Sequence, residues 1–356
     1  MKAILMLEDG TVFLGNTSIR AERVGEIFFN TAVVGYQELL TNPVYANKIL
    51  VYTYPLVGNY GMASKFNETE RVWLNGFVIK QKSSIYSNWQ AKESLDDFIK
   101  RHKLLTIWDV DTRSLTVHLR QKGQMLAIIS TECFKKEELV KKIKIAASCK
   151  KESLLPKIST NKIKVIGKKN NKKIAVLDLG LTKNIINQLE ALDFSIFILP
   201  FNTEAKKILN LNPKGLIISS GPEDDVGIES VISNIKELIG KIPILGISLG
   251  CQILARSLGA KLVKLKIGHN GLNYPIKGKF SYKGEITVQN HFYTIDIKSL
   301  RKVKAIDVVA YNLNDGTVEE IESKKFKFFG ILYYPVSGGF RDINPIFLKF
   351  CKILNA

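Results

Sequence analysis

The residues best placed to do chemistry lie in Gly246-Ile-Ser248-Leu-Gly250. An apolar run, Ile242–Ile247, precedes them and a helical pattern, Gln252–Leu258, follows. A G-x-S-x-G between strand and helix is the pattern of a nucleophile elbow. The glycines let the backbone turn tightly and lift one side chain above a sheet. The helix beyond offers N–H donors and a positive dipole end. A serine hydroxyl becomes a nucleophile only beside a general base. The chain has four histidines, His102, His118, His269 and His291. An α/β hydrolase places its histidine after the elbow and after an acid. His291 meets that order only with an acid such as Glu285, and no local context supports the pairing. Cys251 falls about one helical turn past the elbow tip. It reads as a small buried hydrophobe.

The elements around this turn read as a doubly wound α/β sheet, whose sites lie at the carboxyl ends of its strands. Ile174–Leu179 is a near-continuous apolar run, as in a parallel strand buried on both faces. Ile185, Ile186, Leu189 and Leu192 follow at helical spacing. Further strands are expected at Ser195–Leu199 and Gly215–Ser219. A terminal helix should dock through Ile346, Phe347, Phe350, Ile353 and Leu354. The first half is mixed α/β, with a hairpin around Glu8-Asp9-Gly10, strands at Lys48–Tyr54 and Val72–Ile79, and a helix over Ser94–His102. Between the halves, residues 133–175 hold fourteen lysines against three glutamates, a net of +11. The expected organisation is a domain over 1–150, a Lys-rich solvated linker over 151–172 and a second domain over 173–356.

The chain has 356 residues, 46% hydrophobic and 24% charged, which excludes a disordered or collagen-like polypeptide. Its formal charge is +19. Such a charge invites a nucleic-acid reading. Lysine, however, outnumbers arginine 43 to 9, and Ile and Asn are abundant, as in an A/T-rich genome. Phosphate and base recognition draws on arginine for its bidentate fork. A basic nucleic-acid-binding module is therefore the weaker alternative. The opening residues carry too short an apolar run for a signal peptide, and no stretch approaches the ~18 apolar residues of a membrane helix. Cys133, Cys149, Cys251 and Cys351 show no C-x-x-C spacing, so no metal site is expected. A reducing cytoplasm is the simplest home.

Pro243-Ile-Leu-Gly-Ile-Ser248-Leu-Gly-Cys251-Gln252 resembles the G-I-C-L-G-H-Q elbow of class I glutamine amidotransferases. Gly268-His-Asn-Gly-Leu-Asn-Tyr-Pro275 and Gln289-Asn-His291 resemble two further segments of one branch, the carbamoyl-phosphate synthase small subunits. The first half strengthens this. Leu7-Glu-Asp-Gly-Thr11, Val24-Gly-Glu-Ile-Phe-Phe-Asn-Thr31, Gly35-Tyr-Gln-Glu38, Thr53-Tyr-Pro55, Gly58-Asn59-Tyr-Gly61 and Asp109-Val-Asp-Thr-Arg-Ser-Leu115 resemble that branch's amino-terminal domain. The resemblance spans nearly the whole chain, in order. It implies a mixed α/β domain followed by a doubly wound amidotransferase-like domain. It also implies glutamine hydrolysis by a cysteine thiolate with a His–Glu pair. Ammonia would pass to a large subunit that uses ATP, Mg and bicarbonate to make carbamoyl phosphate for arginine and pyrimidine synthesis. No cofactor is implied for this chain itself.

Carried over residue by residue, the resemblance implies a dismantled glutaminase. Ser248 stands at the nucleophilic cysteine. Tyr334 and Val336 stand where the family has histidine and glutamate. A thiol ordinarily titrates near ~8.5 and ionises readily at a helix N-terminus, whereas a hydroxyl does not. A phenol, near ~10, is a poor proton acceptor at neutral pH. Gly221, Leu249, Gln252, Asn290 and Tyr293 fall on glutamine-pocket positions, with Tyr293 replacing a phenylalanine. Val44 replaces a serine, Phe292 a glycine and Glu223 a glycine near the oxyanion site. Unless it turns outward, Glu223 would oppose the charge that an oxyanion hole stabilises. His269 and His291 read as structural residues or pocket relics. The resulting expectation is a glutaminase-dead subunit of an ammonia-fed enzyme, using glutamine only if the pocket works. A functioning amidohydrolase built on Ser248 is the alternative.

Overall fold

The computed structural model describes residues 1–150, 152–167, 172–279, 281–337 and 342–354. It divides into two compact units, Met1–Lys150 with Lys266–Asn270, and Lys151–Leu265 with Gly271–Ala356.

The first unit is built on a seven-stranded sheet. Lys2–Leu7 and Val12–Asn16 form the expected hairpin, and Met125–Ser130 pairs antiparallel with both Lys2–Leu7 and Glu22–Asn30. Ile49–Tyr52, Gly76–Val78 and Thr106–Ile107 then add in parallel. Helix Leu95–His102 starts at Ser94, whose hydroxyl accepts the Asp97 N–H at 3.1 Å. Two of the motif segments singled out above knit this unit together. Gln37 exchanges hydrogen bonds with both backbone groups of Ala63, at 2.7 and 2.9 Å. The Tyr60 hydroxyl accepts the N–H groups of Gly35 and Tyr36, and the two tyrosine rings stack at 4.2 Å.

In the second unit the strands Lys173–Asp178, Ser195–Pro200, Gly215–Ile218, Ile244–Ile247 and Phe328–Ile331 run parallel. Numbered along the chain, they stand in the order 2-1-3-4-5. This is a doubly wound order. Both faces are buried, as the apolar runs predict. Ala175, Leu177 and Leu179 join one core with Val231 and Ile235 of helix Ile228–Leu238 and Ile253 and Leu254 of helix Leu249–Ser257. Ile174 and Val176 join the other with Leu189 of helix Lys183–Ala191 and Phe347 and Phe350 of helix Pro345–Leu354. Beyond Phe328–Ile331 the sheet turns antiparallel through Val318–Ser323 and Asp307–Asn312.

Part of the stretch expected to be a solvated linker is built into this unit instead. Leu155–Ile158 is a short helix whose Leu155 is wholly buried. Lys164–Gly167 pairs antiparallel with the edge strand Ser195–Pro200. Asp225 accepts the Ser153 hydroxyl at 2.6 Å. The physical reason is that a few apolar residues hide among exposed lysines. Leu155 can reach the core, and the strand needs only backbone groups to extend an open edge. Of the lysine run 168–173, residues 168–171 lie outside the described residues.

The elbow depends on the glycines flanking it. A methyl group at Gly246 would lie 2.6 Å from the carbonyl carbon of Gly250, and one at Gly250 would lie 2.2 Å from the Ile218 carbonyl oxygen. Both obstacles are backbone, so neither can rotate away. Gly250→Ala is therefore expected to destabilise the protein by about 1–3 kcal/mol through overpacking, read as a lower urea midpoint. A loss below about 0.5 kcal/mol, the range of a surface substitution, would show that the helix is free to shift.

Candidate functional site

The carboxyl ends of the parallel strands gather the residues singled out from the sequence. Ser248 follows Ile244–Ile247 directly and adopts φ 51°, ψ −105°, a conformation that a non-glycine residue rarely takes. Such strain persists only where the surroundings impose it. Here the Ser248 N–H donates to Ile331 O at 2.7 Å, tying the tip to the neighbouring strand. The backbone of a nucleophile elbow is thus complete. Ser248 is 3% exposed, and its Oγ has no hydrogen-bond partner among the described residues.

Tyr334 lies just past the adjacent strand Phe328–Ile331, so Ser248 and Tyr334 stand at the carboxyl ends of neighbouring strands. The Tyr334 hydroxyl is engaged by the Thr182 hydroxyl in a very short contact. Its N–H donates to Val288 O at 2.7 Å. Val336 is half-buried against the apolar cluster that includes Ile346 and Phe347. With Tyr334, Glu285 and Lys349 it lines a cavity of about 600 Å³. His291 cannot serve Ser248 either. Its Nδ1 meets Tyr293 O at 2.9 Å and its Nε2 meets Gln289 Oε1 at 2.6 Å, which fits the structural reading. His118 pairs with Asp9 at 2.6 Å, and His102 packs on Phe98 with ring centroids 4.3 Å apart. His269 is buried in strand Leu262–Gly278.

Of the positions that the resemblance assigns to a glutamine pocket, Glu223, Gln252, Phe292 and Tyr293 are brought together in this unit. Leu249 and Gln252 occupy the first turn of helix Leu249–Ser257, both buried. Gly221 follows Gly215–Ile218, where a methyl group would lie 2.2 Å from Leu179 O. Asn290, Phe292 and Tyr293 lie on Gly284–Ile295. Glu223 does not turn outward. It is 6% exposed, its Oε1 accepts Gln252 Nε2, and its Oε2 accepts the N–H of Phe292 at 2.5 Å and of Tyr293 at 3.2 Å. Val44 is buried within the first unit, in the turn Pro43–Tyr45. Sequence reasoning passed over Thr182, the partner of Tyr334, whereas Gln289, the partner of His291, belongs to the segment Gln289-Asn-His291 noted above. Thr182 caps the helix after the first parallel strand. The rule that sites collect at carboxyl strand ends could have found it.

Two family comparisons divide the chain as the fold does. Residues 5–129 match "Carbamoyl-phosphate synthase small chain, CPSase domain", and residues 175–353 match "Glutamine amidotransferase class-I". A protein of Akkermansia muciniphila named carbamoyl phosphate synthase small chain is 37% identical over 100% of this chain and 98% of its own length. The chain belongs to the carbamoyl-phosphate synthase small-chain family. A relative of the same name from Clostridium acetobutylicum is 39% identical over 99% of this chain and all of its own length. One from Aquifex aeolicus is 37% identical over 99% and 98%. Membership confirms the expected architecture, an amino-terminal small-chain domain followed by a class I glutamine-amidotransferase domain.

Cys251 has no access to this site. It is wholly buried against Gly330, where an added methyl group would lie 2.7 Å from its Sγ. Burial, and then the carboxylates of Glu319 and Glu320, hold its thiol well above the ordinary range. Thiolate is the reactive form. Iodoacetamide should therefore modify the exposed Cys149 in the native protein and reach Cys251 only as the unit unfolds. Peptide mass spectrometry along a urea series reads this directly. Native modification of Cys251 at the Cys149 rate would contradict the burial.

Proposed function

We propose that this chain is a carbamoyl-phosphate synthase small subunit that supports a large subunit and does not hydrolyse glutamine. The observation carrying the proposal is the Ser248 hydroxyl, raised on a complete elbow yet without a hydrogen-bond partner among the described residues. Loss of a positioned general base alone removes about 10²–10⁴-fold of rate. The hydroxyl at the histidine position is committed to Thr182, and the glutamate position holds an apolar side chain. By contrast, the residues that build the fold are intact: the elbow glycines, the doubly wound core and the interlocked Gly35–Glu38 and Gly58–Gly61 segments. Selection for a scaffold would leave this pattern.

In this reading the large subunit, with ATP, Mg²⁺ and bicarbonate, takes free ammonia from solution to make carbamoyl phosphate. The product would serve arginine and pyrimidine synthesis in the cytoplasm. No described helix is long and apolar enough to cross a membrane, which agrees with that setting.

The test is an assay of the purified chain together with its large subunit. Glutamine should release no ammonia above background. Ammonium should support ATP-dependent carbamoyl phosphate formation, faster with the chain present than without it. Sustained glutamine turnover that disappears in Ser248→Ala would overturn the proposal and favour an amidohydrolase acting through Ser248.

A further inference from the structure

A buried carboxylate persists only where its lone pairs are met by donors. Glu223 meets that requirement in an instructive way. The successive N–H groups of Phe292 and Tyr293 converge on Oε2, and the Gln252 amide donates to Oε1. Consecutive backbone donors aimed at one oxygen make an anion-binding nest. Gln252 then shows the other half of the site. Its Nε2 is spent on Glu223 and on Tyr293 O, which leaves Oε1 buried with no partner among the described residues. The pocket thus offers donors for a carboxylate and, beside them, one unmet acceptor suited to an ammonium group. Together these are the recognition elements of a free α-amino acid.

We propose that Glu223 is an internal ligand: its side chain fills the carboxylate subsite made by the Phe292 and Tyr293 amides and Gln252, closing the pocket to free α-amino acids. The idea rests on the small-subunit reading above, since it takes Gln252 and Tyr293 as pocket residues. It adds a reason for inactivity that is independent of the triad. A chain so closed would not bind substrate even with a competent nucleophile. The neighbouring Phe292 is itself buried, at 1% exposure.

Removing the side chain should reopen the subsite. Calorimetry with L-glutamine on the full-length chain should show no saturable binding for wild type at millimolar ligand. Glu223→Gly should gain affinity by at least about tenfold, the scale of charge-assisted hydrogen bonds. L-Glutaminamide, which lacks the carboxylate, should gain nothing. Wild-type binding as tight as that of the variant, or a folded variant with no gain, would overturn the proposal. Should Glu223→Gly fail to fold, Glu223→Ala vacates the same carboxylate. In the wild type, the amide protons of Phe292 and Tyr293 should resonate downfield and exchange slowly. Fast exchange at both would overturn the proposal without any variant. Binding is read at equilibrium, so the two ideas separate. A Glu223→Gly chain that binds and then hydrolyses glutamine would sink only the inert-Ser248 view. A folded, non-binding variant of a chain without turnover would sink only the internal ligand.

Discussion

The carboxyl-terminal unit depends on how closely one helix approaches the sheet beneath it. Gly246 and Gly250 leave no β-carbon between the strand end, the turn and the Ile218 carbonyl, and Gly330 leaves none against Cys251. That approach forces Ser248 into its strained conformation and sets the first helical turn, with Leu249 and Gln252, over the site. The energy of the turn is held by backbone packing and by the Ser248 N–H bond to Ile331, not by any side chain at the tip. The tip residue can therefore change from thiol to hydroxyl while the elbow remains. Geometry and chemistry are separable here because different atoms carry them.

The same separation runs through the rest of the site. Around the elbow, polar groups satisfy one another locally: Tyr334 with Thr182, His291 with Gln289, and Glu223 with Gln252 and two backbone amides. Val336 goes further and joins an apolar cluster. Buried polar groups without partners are costly. Pairing them within the chain stabilises this unit. Among the described residues, Ser248 Oγ and Gln252 Oε1 stay buried without hydrogen-bond partners near the elbow.

Much of this was legible from residue types alone. The parallel core announced itself through continuous apolar runs, since burial on both faces removes polar alternation, and every such run became a strand. The elbow was legible because glycine at fixed offsets around a small polar residue has few other uses. The linker was misread in part, because a lysine-rich average conceals Leu155 and a strand that pairs through its backbone. Charge composition reports solvation and says little about edge pairing.

By itself the sequence determined the family and the order of the two units, because motif residues and apolar runs are legible from which side chains are present. Only the tertiary structure decided what the replacements do. The direction of Glu223 was the open question, and a carboxylate can turn outward to water or inward to donors. Backbone N–H groups of Phe292 and Tyr293, sixty-nine and seventy residues away in the chain, drew it inward. No local pattern encodes such donors, since every residue but proline carries one and only the fold aims it.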